Sequence, residues 1–292
     1  MRRCAFLTMD TLDGHVSDDE MVYAPLQQFG WQVDSVSWHR NDVDWSQYDV
    51  VLIRSTWDYH SCPEEFLRKL TVIEASGTLL LNPLELVRWN IHKTYLYDLE
   101  QKGIQIVPSI WPERIDREQI YFALDDFSAE EIIIKPTISA GAHNTFRISL
   151  TREQSEITRI VETLHNTDCV IQPFIRSVIT EGEFSVFYFG GNYSHTVLKT
   201  PKANDFRVQE EHGGIIRSVS PEPTLLECGR QILNVLQSKP FYARIDLVRG
   251  DDGYFKLMEL ELIEPSLYFR TDPASPVRFA RALTDWMSCK VL

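Results

Sequence analysis

The chain has 292 residues, enough for about two domains and for a core that needs no disulfide or metal staple. Hydrophobic residues make up 43% and charged residues 24%, ordinary globular values that argue against a disordered or fibrous chain. The formal charge of −13 repels polyphosphate backbones and anionic membrane surfaces, so nucleic acid and membrane are not expected as partners.

No apolar run approaches the roughly 18 residues of a membrane span. Cys4, Cys62, Cys169, Cys228 and Cys289 are odd in number and include no C-x-x-C pair. They read as reduced thiols of a cytoplasmic protein rather than as a disulfide framework or zinc site.

The first third alternates strands and helices. Cys4 to Met9 is a short apolar strand, and Asp18 to Phe29 has helical spacing that stops at Gly30. Trp31 to Trp38 alternates as a strand. Val50 to Ile53 is a β-branched run, as in a strand buried on both faces. Pro63 to Ala75 is a helix with proline in its first turn and Gly77 just past its end, and Leu79 to Leu81 is another buried strand. This alternation implies a parallel sheet covered by helices, placed at residues 1–85.

The middle, 86–175, reads as an α+β unit. Ile91 to Lys102 is a helix and Ile104 to Trp111 a strand. Glu131 to Pro136 is a strand carrying Lys135, and Thr145 to Ser149 another. Thr151 to Leu164 is a helix capped by Thr151 with Glu153 close behind, and Val170 to Phe174 a further strand. The last part, 176–292, is strand-rich. Glu183–Gly190 and Tyr193–Lys199 flank a Gly190-Gly191-Asn192 turn, and Tyr242–Arg249 and Tyr254–Ile263 flank Gly250 to Gly253. Lys199 to Gly214 is polar and irregular, Pro223 to Leu236 is a helix, and Ser275 to Met287 closes the chain as another.

The sequence contains no P-loop, no G-x-G-x-x-G, no H-E-x-x-H and no G-x-S-x-G elbow, and its eight histidines are scattered. The strongest local signal is the second hairpin. With Arg249 opposite Tyr254, Ile245 opposes Met258 and Arg244 opposes Glu259. One face then carries Ala243, Ile245, Leu247, Met258, Leu260 and Leu262, and the other Arg244, Asp246, Glu259 and Glu261. The bland reading is a solvated face. Three carboxylates around one cation, however, raise each other's pKa unless a cation compensates, and hard oxygen ligands on adjacent strands suit Mg²⁺. Lys135 stands at a strand end before the small-residue loop Ile138 to Asn144, where a lysine can hold phosphate oxygens or merely snorkel.

Taken in order, the pieces are Asn82-Pro83, Lys93 at a helix start, Lys135-Pro136 with its loop, and Gln172-Pro173-Phe174-Ile175. After these come Gly182-Glu183-Phe184-Ser185, a polar lid, Asp246 and Glu259-Leu260-Glu261. The chain resembles the ATP-grasp superfamily of carboxylate–amine ligases over nearly its whole length, and most closely the glutathione-synthetase-like group. Thr56 to Tyr59, Gly182 to Ser185 and Asp205 to Gly214 are similar to the O-ureido-serine cyclo-ligases of cycloserine biosynthesis.

The resemblance implies an ATP-grasp fold: an N-terminal α/β domain followed by two α+β subdomains that clamp ATP. It also implies roles. Lys93 and Lys135 would hold the α- and β-phosphates. The loop with Ser139, Ala140 and Gly141 would close over the β- and γ-phosphates. The backbone of Gln172, Phe174 and Ile175 would read the adenine, and Glu183 would meet the ribose or order the site. Asp246, Glu259 and Glu261 would bind Mg²⁺, expected as two ions with Mn²⁺ able to substitute. Arg207 and Arg244 would stabilise the transferring phosphoryl group. Two departures stand out: Glu261 replaces a frequent Asn, and Gly141 is the loop's single glycine.

On the substrate side, Arg54 to Tyr59 follows a buried strand, where ligands of open α/β sheets sit. Arg54 would clamp a carboxylate, and Thr56, Trp57 and Tyr59 would line a pocket; the alternative is a loop packed at the domain interface. Arg217, Arg270, Ser266 and Tyr268 are further candidates. The expected activity is ATP-dependent joining of a small amino acid's carboxylate to an amine, within one molecule or between two. The competing readings are a non-catalytic nucleotide-binding module and a ligase modifying a protein terminus. The resemblance also suggests a homodimer.

Overall fold

The computed structural model describes residues 1–149, 151 and 154–289. Strands β1 (Arg2–Thr8), β2 (Trp31–Ser37), β3 (Val50–Ser55) and β4 (Leu79–Leu81) form a parallel sheet in the order β2-β1-β3-β4. All six residues of β3 are buried, as its continuous apolar run requires of a strand covered on both faces. The expected helix at Asp18 divides into a 3-10 turn and α1 (Tyr23–Gln28). Helix α2 (Pro63–Ala75) starts at its proline and ends before Gly77, whose φ of +86° suits glycine.

The expected helix from Ile91 is interrupted. Helices α3 (Leu84–Asn90) and α4 (Tyr95–Gln101) are separated by a turn in which the Lys93 amide donates to the Thr137 carbonyl at 2.9 Å. Ile104 to Trp111 is not a strand. It bridges at two single positions, Ile106 to Leu257 and Ile110 to Ile171, with Pro108 between them lacking the donor a ladder needs. It therefore connects two sheets instead of joining one.

Helix α5 (Arg117–Asp126) went unforeseen; Asp116 caps it, accepting from the Gln119 amide at 2.9 Å. Strands β5 (Glu131–Pro136), β6 (Phe146–Ser149) and β7 (Cys169–Pro173), with α6 (Gln154–Thr163), make an antiparallel unit ordered β6-β5-β7. Glu153, expected close behind the cap Thr151, lies outside the described residues. This unit closes its own core from Ile120, Leu124, Ile134, Ile157, Ile160 and Ile171.

The remaining elements are α7 (Ser177–Thr180), β8 (Glu183–Phe189), β9 (Asn192–Thr200), β10 (Ile215–Ser218), α8 (Pro223–Asn234), β11 (Tyr242–Arg249), β12 (Phe255–Glu261) and α9 (Ser275–Cys289). Their sheet runs β10-β9-β8-β11-β12, antiparallel throughout. This sheet and the N-terminal one share a core: Phe6, Leu52 and Leu81 pack in one cluster with Phe187, Phe241 and Phe279. The expected units 1–85 and 176–292 are thus fused through their interiors.

The register of β11 and β12 differs from the expected one. Arg244 opposes Glu261, Ile245 opposes Leu260, and Asp246 opposes Glu259 directly. A bulge follows, Leu247 opposes Leu257, and Met258 is the extra residue. Leu257 takes the core position beside Leu247, while Met258 turns with Glu259 toward the cleft described next.

Candidate active site

A cleft of about 410 Å³ lies where the three regions meet, a size typical of small-molecule sites. Its wall includes Lys93, Lys135, Ser139, Ala140, Gly141, Gln172, Phe174, Ile175, Glu183, Arg207, Arg244, Asp246, Glu259 and Glu261, together with Trp57 and Tyr59. The candidate residues, far apart in sequence, thus converge on one space, with four exceptions: Arg54, Thr56, Arg217 and Arg270.

Arg54 and Thr56 are absent from that wall. Arg54 is buried, its Nε and Nη2 donating to Asp19 Oδ1 at 3.0 and 2.9 Å and its Nη2 to the Pro265 carbonyl at 3.0 Å. Thr56 is fully buried. The structure thus places Arg54, expected as the carboxylate clamp, and Thr56, expected to line the pocket, off the cleft wall, with Arg54 held against Asp19. Arg270 likewise pairs with Asp18 and Glu210.

The electrostatics follow from β8, β9, β11 and β12 lying side by side. Asp246 accepts from Ser185 Oγ at 2.5 Å, Lys199 Nζ at 3.0 Å and Arg244 Nη2 at 3.0 Å. Burial would raise its pKa, but Arg244 and Lys199 hold it at about 2. Lys199 also pairs with Glu183, the residue opposite it in the β8–β9 ladder. Burial keeps the Glu183 carboxyl above its usual range even so. Arg244 reaches Glu261 as well.

Lys93 Nζ donates to the Ser139 carbonyl at 3.0 Å and pairs with Glu259 at 2.9 Å. Against burial, Lys93 and Lys135 lower the Glu259 pKa. Burial in turn lowers that of Lys135. Two carboxyls remain short of positive charge. Burial, with Asp246 and Glu259 nearby, pushes Glu261 to about 7, and burial with Glu261 pushes Glu264 to about 8.

Lys199, expected both to end a strand and to begin the polar lid, is a buried residue of β9. Its signal was available in the hairpin register, which sets it against Glu183. The polar segment after it does meet the small loop, since His212 Nε2 donates to the Gly141 carbonyl at 3.1 Å. Arg207, on that segment, is held by Asp205 through Nε and Nη2 at 3.1 and 2.9 Å. At the hinge, the Phe174 amide donates to the Glu131 carbonyl at 2.9 Å, so it is not free to read a base. The Gln172 side chain donates to Ser109 at 2.9 Å.

Asp246, Glu259 and Glu261 supply the hard anionic oxygens that suit Mg²⁺, and the excess of acid over base at Glu261 is what a divalent cation would relieve. Among the described residues no three of His, Cys, Asp and Glu converge on one cation position. Each of the three is paired with a basic side chain instead, Asp246 and Glu261 with Arg244 and Glu259 with Lys93, so a cation held here would take further ligands from a phosphate.

Beyond β12 the chain is fixed without a ladder. The carbonyls of six consecutive residues, Leu262 to Leu267, each accept from a different side chain. The donors are Asn82 (2.6 Å), Tyr242 (2.8 Å), Trp57 (3.0 Å), Arg54 (3.0 Å), Arg244 (3.4 Å) and His195 (2.9 Å), in that order. Three of these donors come from the N-terminal region.

Comparison with known proteins agrees with this architecture. Residues 4–82 match the model of the D-cycloserine synthetase DcsG N-terminal domain, and residues 114–267 match that of the prokaryotic glutathione synthetase ATP-grasp domain. The chain is 29% identical over 275 residues to the cycloserine biosynthesis protein DcsG of Streptomyces lavendulae, covering 88% of this chain and 89% of that one. The crystal structure of D-cycloserine synthetase DcsG superposes with a TM-score of 0.84 at 24% identity, covering 98% of this chain and 99% of that one. D-alanine–D-alanine ligase from Bacillus anthracis gives a TM-score of 0.67 at 13% identity, covering 100% and 98%. No helix among the described residues is long and apolar enough to cross a membrane. With more than half its length matching that model and its fold matching throughout, the chain belongs to the prokaryotic glutathione synthetase ATP-grasp family, as an ATP-dependent carboxylate–amine ligase.

Proposed function

We propose that the protein activates the carboxylate of a small amino acid as an acyl phosphate and closes it onto a nitrogen of the same molecule, in the manner of a cycloserine-forming cyclo-ligase. The observation that carries the reading is the cleft itself. Lys93 and Lys135, both buried, share the wall of a space of small-molecule size with Asp246, Glu259 and Glu261, and no nucleophilic triad lies in that wall. The matches to DcsG along both the N-terminal region and the whole chain support the cyclising form.

A carboxylate does not acylate an amine at neutral pH because oxide is a poor leaving group. Phosphorylation supplies a good one, and the protein's part is to position groups and neutralise charge. Lys93 and Lys135 hold phosphate oxygens, Lys93 leaving Glu259 to do so. Asp246, Glu259 and Glu261 hold the nucleotide's Mg²⁺, expected as two ions with Mn²⁺ a workable substitute, which shields phosphate charge when bound. Arg244 lies beside the acids, where acyl-phosphate charge develops. Arg207 joins it once released from Asp205. The segment after Lys199 closes against the small loop through His212 and excludes water. Ile175 and the hinge carbonyls take the adenine edge, and Glu183 the ribose side. Trp57 and Tyr59 line the amino-acid pocket. The same reading places the protein in the cytoplasm as a homodimer.

The test is ADP and phosphate release from purified protein with Mg·ATP and single D- and L-amino acids, including both forms of O-ureido-serine, followed by mass spectrometry. Release with one compound and a product lighter by one water, or by its further breakdown, is expected. A product joining two substrate molecules would replace the cyclising reading with an intermolecular one.

A further inference from the structure

The chemistry above leaves one proton without a destination. The nitrogen that attacks the acyl phosphate must shed a proton as it bonds to carbon. The lysines and arginines are committed to phosphate and the three acids to cations, while Glu183 is paired with Lys199, Glu210 with Arg270 and His212 with the Gly141 carbonyl, and His15, His60 and His143 pack against neighbouring rings. Glu264 is different. It is a cleft residue only 8% exposed, yet its carboxyl accepts no hydrogen bond among the described residues. An unpartnered buried carboxyl is costly, and such groups persist where function requires them.

Its placement is built. The Glu264 carbonyl is fixed by Trp57 Nε1 at 3.0 Å and the next carbonyl by Arg54 at 3.0 Å, in the middle of the six side-chain-fixed carbonyls. The backbone of Glu264 and of Pro265 is thus clamped while the carboxyl stays unengaged on the cleft wall it shares with Tyr59, Trp57 and Ser266. Arg54, which does not line the cleft, acts here as a positioning residue.

We propose that Glu264 is the general base of the ligation step. In its ionised form, the minority at pH 7 that grows as pH rises toward about 8, the Glu264 carboxylate takes the N–H proton. The nitrogen's electron pair forms the C–N bond, the acyl C–O bond breaks, and that pair leaves with phosphate. The proposal rests on the ligase reading and needs no reagent beyond the two substrates.

The experiment uses the full chain, wild type and Glu264→Gln, with Mg·ATP and the amino acid that sustains ADP release. Each protein is assayed for its own C–N product and, in parallel, for hydroxamate formed when hydroxylamine intercepts the acyl phosphate. Hydroxylamine is uncharged and strongly nucleophilic at neutral pH, so it needs no base. The Mg·ATP thermal shift reports that the fold and nucleotide site are intact. General-base catalysis contributes about 10²–10⁴-fold, so the product-to-hydroxamate ratio should fall at least about 100-fold in Glu264→Gln. An unchanged ratio, whether both yields persist or both fall together, overturns the assignment. If the Gln variant shows no thermal shift, Glu264→Asp is carried through the same two assays and judged by the same ratio. Hydroxamate formation by the wild type tests the ligase reading separately.

Discussion

Lys199→Met isolates the electrostatics of the candidate site. The Lys199 side chain is 3% exposed and lies between Glu183 and Asp246. Asp246 keeps Arg244 and Ser185 after the substitution, but Glu183 loses the only ion pair it makes among the described residues. A buried carboxyl without a partner neutralises by taking a proton, and the free energy of doing so caps the damage. For an unfolded pKa of about 4.3, that is about 3.7 kcal/mol at pH 7 and about 1 kcal/mol at pH 5. The folded variant holds a proton that its unfolded state releases above about pH 4.3, so the deficit against wild type grows as pH rises and shrinks as it falls. Urea unfolding followed by tryptophan fluorescence at pH 5 and pH 7, with chelator present, measures both values. Adding Glu183→Gln should recover most of the loss at pH 7. A deficit equal at both pH values would refute the pairing of Lys199 with Glu183 as its cause.

Three further outcomes are expected. Lys135→Ala should raise the dissociation constant for Mg·ATP at least about tenfold, or about 1.4 kcal/mol, measured by titration calorimetry. Phe279→Ala removes a fully buried ring with neighbouring centroids 5.1 Å away at Phe189 and 5.2 Å at Phe241, and should cost about 3–5 kcal/mol in urea unfolding. Gly182 has φ +120°, and a Cβ there would come within 2.7 Å of the Lys199 carbonyl. Gly182→Ala should therefore cost about 1–3 kcal/mol in the same measurement and reduce ligase turnover by displacing Lys199.

Regular periodicity made the N-terminal sheet, both hairpins and α2 readable from sequence, because burial on a helix or strand face repeats at a fixed interval. The convergence of Lys93, Lys135 and the three acids was legible through motif order. The bulge at Asp246 was not: Met258 is apolar and suits either face, so one extra residue leaves no compositional trace. Arg54 misled for a related reason. A strand-end arginine looks the same whether it meets a ligand or Asp19, and Asp19 is thirty-five residues away. Glu264 and the fixed carbonyls around it went unseen because their partners are side chains scattered from Arg54 to Arg244.

The shared core also has a consequence for how the protein is made. Strand β1 leaves the ribosome well before α9, but Phe6 packs against Phe279 of α9, with ring centroids 6.4 Å apart. At about 5–20 residues per second, on the order of 15–50 s separates them. During that interval the nascent parallel sheet presents an apolar face with no cover, while the β6-β5-β7 unit already has every residue of its own interior. A chain released before α9 would carry that open face permanently.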